Sequence, residues 1–220
     1  SPDGNMLAAC GTLHIYEGFS NSGKLKHTDS DALIRLWKVE SGELVGDIKT
    51  KKLGPMNAAY SVGFSPDGAT MAASGGSYTG LFSTETGETY QLIVAENRGG
   101  CRASFSSNNK LLIAQPGQVE IYQKDSSGSF FKRSQVSHLG PVKNVWTGPT
   151  RQMKLLFSND LLLDQFPFGN GGKVQRREVS GIKLAHMSLD ESHMSVLRGD
   201  GNDATITIEK VESEERVAEL

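Results

Sequence analysis

The sequence restates itself at a fixed interval, and that constrains its fold more than any other feature. Ser65-Pro66-Asp67-Gly68 repeats Ser1-Pro2-Asp3-Gly4, and the second copy follows Val62-Gly63-Phe64. After Ser65 the same phase carries Phe105-Ser106, Trp146-Thr147 and Met187-Ser188, at a constant spacing of 41. The step from Ser1 to Ser65 is longer, so the first unit holds an insertion of roughly twenty. A second register agrees with the first. Lys38-Val39-Glu40-Ser41-Gly42-Glu43-Leu44-Val45 lines up with Lys210-Val211-Glu212-Ser213-Glu214-Glu215-Arg216-Val217 at an offset of 172, or 43 per unit over four units. Thr86-Gly87-Glu88 falls at the same phase. A period of this length marks supersecondary units that bury their apolar faces against one another.

Each unit reads as four short strands. In the second they are expected at 60–64, 70–74, 80–84 and 89–94, with Ser65-Pro66-Asp67-Gly68 as a tight turn. Proline presets φ at the second turn position, and the glycine two residues later tolerates positive φ. In the fifth unit the strands are expected at 183–187, 194–198, 204–209 and 216–220. Ala204-Thr205-Ile206-Thr207-Ile208 alternates with period two, as a strand with two unlike faces should. The 25 glycines are spread between short apolar runs, and long helical periodicity is missing. Four strands in a repeat of 40–45 residues form the blade of an all-β propeller.

The same residues carry a family resemblance over essentially the whole chain. Asp31-Ala32-Leu33-Ile34-Arg35-Leu36-Trp37 resembles the tight turn and third strand of a WD-repeat propeller. His138-Leu139-Gly140-Pro141-Val142-Lys143-Asn144-Val145 resembles the loop and first strand that open a blade of that family. The match departs at several points. The family's Trp-Asp dipeptide is Trp37-Lys38 here, and one third strand alone keeps the tryptophan. The family's polar chain of histidine, aspartate, serine or threonine and tryptophan is incomplete in every unit. Asp31 and Trp37 match it in the first, and His138 in the fourth. The blades are placed at about 1–50, 56–95, 100–135, 140–180 and 182–220, the first lacking its inner strand. The resemblance implies that five such blades belong to a larger, seven-bladed ring, completed by further blades or by a partner chain.

Composition narrows the function classes. The formal net charge is −2, which gives no electrostatic reason to expect nucleic acid as a partner. The longest apolar cluster, 155–163, is cut by Ser158, Asn159 and Asp160, well short of the roughly 18–20 residues a membrane helix needs. The opening residues do not read as a signal peptide. With two cysteines and no Asn-x-Ser/Thr sequon, a disulfide scaffold is excluded, and the expectation is a reducing, cytoplasmic setting with the nucleus left open.

Reactive constellations are not evident. His14, His27, His138, His186 and His193 are scattered, and Cys10 and Cys101 fall in blades separated by a full blade, so both are expected as free thiols. Asp200-Gly201-Asn202-Asp203 has the composition of a turn and lacks the frame of a calcium loop. No nucleophile elbow or P-loop occurs, and Gly169-Asn170-Gly171-Gly172 precedes a strand rather than a helix. Arg176-Arg177 and Lys49-Thr50-Lys51-Lys52 read as solvated rim. The expectation is no catalytic residue, no cofactor and no metal.

The insertion, residues 13–30, is the one segment a blade does not need. It is expected as a long Gly/Ser-rich loop joining second to third strand, carrying Tyr16, Phe19, Lys24, Lys26 and His27 beside His14. Loops this long are functional or disordered, and both readings stand at this point. The resemblance puts such loops on the face that receives partners, together with Tyr78, Arg98 and Gln115. The expected function is a non-catalytic scaffold that binds another protein or a peptide through its loops. A regulatory or sensor propeller of a larger multidomain protein is the alternative, and a propeller hydrolase a further one, since fold alone does not decide chemistry.

Overall fold

The computed structural model describes residues 1–49, 58–96, 100–106, 108–137, 142–147, 152–157, 162–167, 175–178, 182–187, 192–199, 203–210 and 215–219. The chain divides into two compact units, Ser1–Ala103 and Ser104–Leu220. Every element of the described residues is a strand, and every sheet is antiparallel with sequential neighbours paired.

The first unit holds a three-stranded sheet of β1 (Met6–Phe19), β2 (Leu25–Lys38) and β3 (Leu44–Lys49), followed by a four-stranded sheet. That second sheet is β4 (Ser61–Phe64), β5 (Thr70–Gly75), β6 (Tyr78–Ser83) and β7 (Thr89–Val94). The unit boundary falls inside β8 (Arg102–Phe105), which belongs to a sheet with β9 (Lys110–Gln115), β10 (Gln118–Lys124) and β11 (Phe130–Ser137). Two further sheets complete the second unit. One is β12 (Val142–Thr147), β13 (Gln152–Phe157), β14 (Leu162–Pro167) and β15 (Gln175–Glu178); the other is β16 (Ile182–Met187), β17 (His193–Arg198), β18 (Thr205–Lys210) and β19 (Arg216–Glu219).

Local chemistry explains why the strands turn where they do. The Gly68 amide donates to the Ser65 carbonyl at 2.8 Å, and Gly68 has a φ of 71°. The Ser65 hydroxyl accepts the Thr70 N–H at 2.9 Å, while the Asp67 carboxylate accepts the Ala69 N–H at 3.0 Å. Ser1, Asp3 and Gly4 build the same turn, with the Met6 N–H on the Ser1 hydroxyl at 2.8 Å. A third copy was hidden in the sequence. The Ser106 hydroxyl takes the Lys110 N–H at 3.0 Å and bonds Asn108, while Asn109 occupies the left-handed region at 60°. Asn108 thus replaces the aspartate and Asn109 the glycine, one of the few residues that tolerates that backbone.

The second register is equally physical. Lys38 donates its amide to the Glu43 carbonyl at 2.9 Å and its ammonium to the Glu43 carboxylate at 2.7 Å. Lys210 and Glu215 repeat both contacts, at 2.9 Å and 2.8 Å.

The core of the first unit lies between its two sheets. Ala32, Ile34 and Leu36 of β2 pack with Met71, Ala73 and Phe82 of the next sheet, with Ala59 and the partly buried Met6, Ala8 and Cys10 around them. Alternation puts Leu7, Ala9, Arg35 and Trp37 on the opposite face of the three-stranded sheet, because Leu7 pairs with Trp37 and Ala9 with Arg35. In the second unit the buried residues include Leu111, Ile113, Val119, Phe130, Val145, Ile182 and Val196, and Phe105 meets Phe130 edge-on at 5.9 Å.

Residues 13–30 depart from expectation. They do not form an irregular loop; they lengthen β1 and β2 into a two-stranded ribbon paired from Thr12–Ala32 out to Phe19–Leu25. The alternating His14, Ile15 and Tyr16 are compatible with a ladder, and Ser20 to Lys24 supply its end turn. There the Gly23 N–H donates to the Ser20 carbonyl at 2.8 Å, with Gly23 at a φ of 75°. Gly18, at 64°, lies where the register shifts between Tyr16 and Phe19.

Candidate interaction surface

The ribbon brings the sequence-selected aromatics to its outer end. Phe19 is 72% exposed, Leu25, its cross-strand partner, 60%, and Tyr16 50%. His14 lies 6.4 Å from Tyr16 by ring centroids, and its Nδ1 is 3.2 Å from the Ser30 hydroxyl. Lys24 is exposed at the end of the turn. Lys26 and His27 belong to β2, but their side chains lie outside the described residues.

A polar junction that sequence reasoning missed lies elsewhere in the same unit. The Arg102 guanidinium stacks on the Tyr60 ring, 4.7 Å from its centroid, and donates to the Cys101 carbonyl at 3.1 Å. Beneath it the Ser61 hydroxyl bonds that of Ser74 at 2.7 Å and accepts the Ala103 N–H at 2.8 Å. Ser74 in turn donates to the Cys101 carbonyl at 3.3 Å. Tyr60 and Cys101 stand one repeat apart, so the spacing could have placed Arg102 beside Tyr60. Burial pushes the Cys10 thiol pKa up, and the positive charge of Arg102 only partly offsets that.

The remaining selected residues divide. Tyr78 opens β6, half-buried against the core rather than standing free on the surface. Gln115, at the end of β9, is buried. Asp31 is buried within β2. Trp37 is half-buried and lines an open recess of about 310 Å³ with Leu7, Lys38, Val39 and Gly42. Arg98 and His138 lie outside the described residues.

Buried charge is committed to the fold. Glu120 on β10 accepts from Gln118 at 3.1 Å, from the Tyr122 hydroxyl at 3.0 Å and from the Lys132 ammonium at 2.6 Å. On the last sheet Arg198 donates to both Thr207 and Glu209, and that guanidinium holds the Glu209 carboxyl below the usual glutamate range. Among the described residues no group of histidine, cysteine, aspartate and glutamate is placed to hold a metal ion, and no helix is long and apolar enough to cross a membrane.

No known family's sequence model matches the chain, and no curated protein matches it in sequence. Solved structures do. U3-55K superposes with a TM-score of 0.65 at 14% identity, over 87% of this chain and 60% of that one. The WD40 repeats of RRP9 give 0.63 at 14%, over 98% and 66%. The dihydro-heme d1 dehydrogenase NirN, solved in complex with DHE, gives 0.54 at 15%, over 86% and 41%, so an enzyme shares the architecture too. This chain therefore spans 60% of the length of U3-55K and less than half that of NirN. At these identities the likeness establishes the fold alone: the antiparallel sheets of this chain are β-propeller blades, similar to those of the WD40-repeat structures.

Proposed function

We propose that this chain is a non-catalytic binding platform whose ribbon, residues 13–30, docks a protein or peptide. The observation that carries this reading is the exposed set Tyr16, Phe19 and Leu25 at the end of a paired ribbon. Aromatic side chains on an ordered support bury large areas at small entropic cost, and they dominate binding hot spots. Lys24 beside them supplies charge that tunes encounter more than affinity. The engagement of Glu120 and Glu209 by neighbouring side chains supports a structural use of those carboxylates. The net charge of −2 favours a protein or peptide over nucleic acid.

The test compares the chain with a version in which residues 13–30 are replaced by one glycine. That leaves Gly-Asp31 as a two-residue turn between Thr12 and Ala32, which already pair. A photoreactive residue at position 19 identifies the partner, and affinity is then measured on both versions. Tyr16→Ala and Phe19→Ala are each expected to weaken binding by about tenfold or more, and the replacement to abolish it. Unchanged affinity after replacement would overturn the reading.

A further inference from the structure

The last strands of the five sheets occupy equivalent places, each at an edge, and β7 differs from the other four. β3 carries Asp47 and Lys49, β11 carries Lys132 and Arg133, β15 carries Arg176, Arg177 and Glu178, and β19 carries Arg216 and Glu219. Thr89-Tyr90-Gln91-Leu92-Ile93-Val94 has no charged residue, no proline and no glycine. Charge on an edge strand keeps its open backbone from pairing with another chain. An uncharged run of high β-propensity is the composition that pairs.

The pairing with β6 shows which groups of β7 are open. The Ala95 N–H donates to the Ser77 carbonyl at 2.8 Å, one step beyond the pair Tyr78–Val94. Antiparallel pairs alternate between bonded and non-bonded, so Ile93 and Gln91 also turn their backbone groups towards β6. Leu92 and Val94 therefore turn theirs outward, and among the described residues no strand pairs with that edge. The same residues hold exposed apolar side chains. Leu92 is 36% exposed and Val94 59%; Tyr90, at 45%, continues the stripe, its hydroxyl 3.0 Å from that of Thr70. The sheet has its four strands and lies inside the chain. Blades pack on one another through their faces, so a further blade does not cover this edge.

We propose that two copies of this chain pair β7 against β7, antiparallel about a two-fold axis. The occupant is a second copy because the strand meets each requirement of its own partner. It brings no like charges together, and its outward donors and acceptors match after a half-turn. The two stripes of Tyr90, Leu92 and Val94 then merge on one face of a continuous sheet. With the axis at or next to Leu92, the two Leu92 side chains become neighbours. The contact does not involve the ribbon and stands apart from the function proposed above.

The symmetry supplies the test. A single strand pair is a small interface, so the expected state is a weak dimer that forms with concentration in sedimentation equilibrium and goes no further. Leu92→Lys and Leu92→Glu each set like charges side by side across the axis, and each variant alone is expected to stay monomeric. Mixed in equal amounts they are expected to form a one-to-one dimer, because lysine then meets glutamate. That dimer also demonstrates that both variants are folded. Leu92→Pro removes the outward N–H and spares the bonds to β6, as an edge strand allows, and is expected to be monomeric with a cooperative melt. A parent chain still monomeric at about 1 mM overturns the proposal. So does assembly beyond the dimer. A Leu92→Lys variant that dimerises as the parent does, a mixture that stays monomeric, or a Leu92→Pro variant that still dimerises overturns it as well.

Discussion

Ile206 and Thr207 are neighbours on one strand, and it is the threonine that is buried. The inversion follows from what each side meets. Arg198 pairs with Thr205 and reaches along the strand to donate to both Thr207 and Glu209, so the inward face of β18 is a satisfied polar cluster. Glu209 is the counterpart of Trp37 at the same offset of 172, so an ion pair occupies the position of the aromatic ring in the first sheet. A half-buried, hydrogen-bonded arginine–glutamate pair tolerates burial where an unpaired carboxylate would not.

The pair has a pH signature. The Arg198 hydrogen bond lowers the folded-state pKa of Glu209 below its unfolded value. A depressed carboxylate contributes stability that is present above the unfolded pKa of about 4.3 and is lost as pH falls through the folded one. Glu209→Gln is therefore expected to lower the melting temperature at neutral pH. It should also flatten the decline of melting temperature on acidification below about pH 4.3. If the variant and the parent lose stability in parallel across the acid range, Glu209 is not the linked group.

The blade pattern was legible because turn chemistry and strand alternation are local. The strand expected at 89–94 is observed as Thr89–Val94, and the Lys38 and Lys210 hairpins carry the same bonds the repeat implies. The ribbon was not legible. Glycine and serine between 18 and 23 signal a turn, but whether the chain before it stays paired depends on a ladder whose partners lie up to twenty positions away. The junction of Tyr60 and Arg102 was lost for a similar reason: neither residue belongs to a motif, and their contact arises from two successive blades. The exposure of Ile206 was hidden because alternation fixes two faces without saying which is inward.

Two glycines of the second sheet should respond oppositely to alanine. A Cβ on Gly75 would sit 1.7 Å from the Ala58 carbonyl oxygen, a backbone atom that cannot swing away. Gly63, on the adjacent strand, has nothing within 4 Å of that position. Gly75→Ala is expected to cost about 3 kcal/mol or more, at or above the upper end of overpacking penalties. Gly63→Ala should change stability by about 1 kcal/mol or less, since a strand gains from losing glycine's backbone freedom. Urea melts of the two variants decide it, and equal midpoints would refute the packing of Ala58 against β5.

Replacing residues 13–30 with a single glycine should leave the melting temperature within a few degrees of the parent. The buried stripe of β2 begins at Asp31 and Ala32 and is retained, while the deleted residues whose side chains are described are mostly exposed. The second sheet already joins Gly75 to Tyr78 across Gly76-Ser77, a two-residue turn with Gly76 at a φ of 57°. A large drop in melting temperature would mean that the ribbon supports the sheet rather than standing off it.

The two thiols should be silent in the native protein for different reasons. Cys101 and Cys10 both carry reduced thiols, Cys101 fully buried and Cys10 half-buried. Thiolate is the reacting species, and burial raises the Cys10 pKa, so at neutral pH its thiolate fraction lies below that of an exposed cysteine. Arg102 works against that shift, and its positive charge is the electrostatic aid that Cys10 has. Alkylation at neutral pH is expected to be slow at Cys10 and slower at Cys101, whose modification must wait for local opening. In denaturant without reductant both should titrate at once. Arg102→Met is expected to slow Cys10 further as its charge is removed, and raising the pH should restore the rate in both versions. Fast labelling of Cys101 in the native state, or a single titratable thiol after denaturation, would contradict this placement of the first two blades.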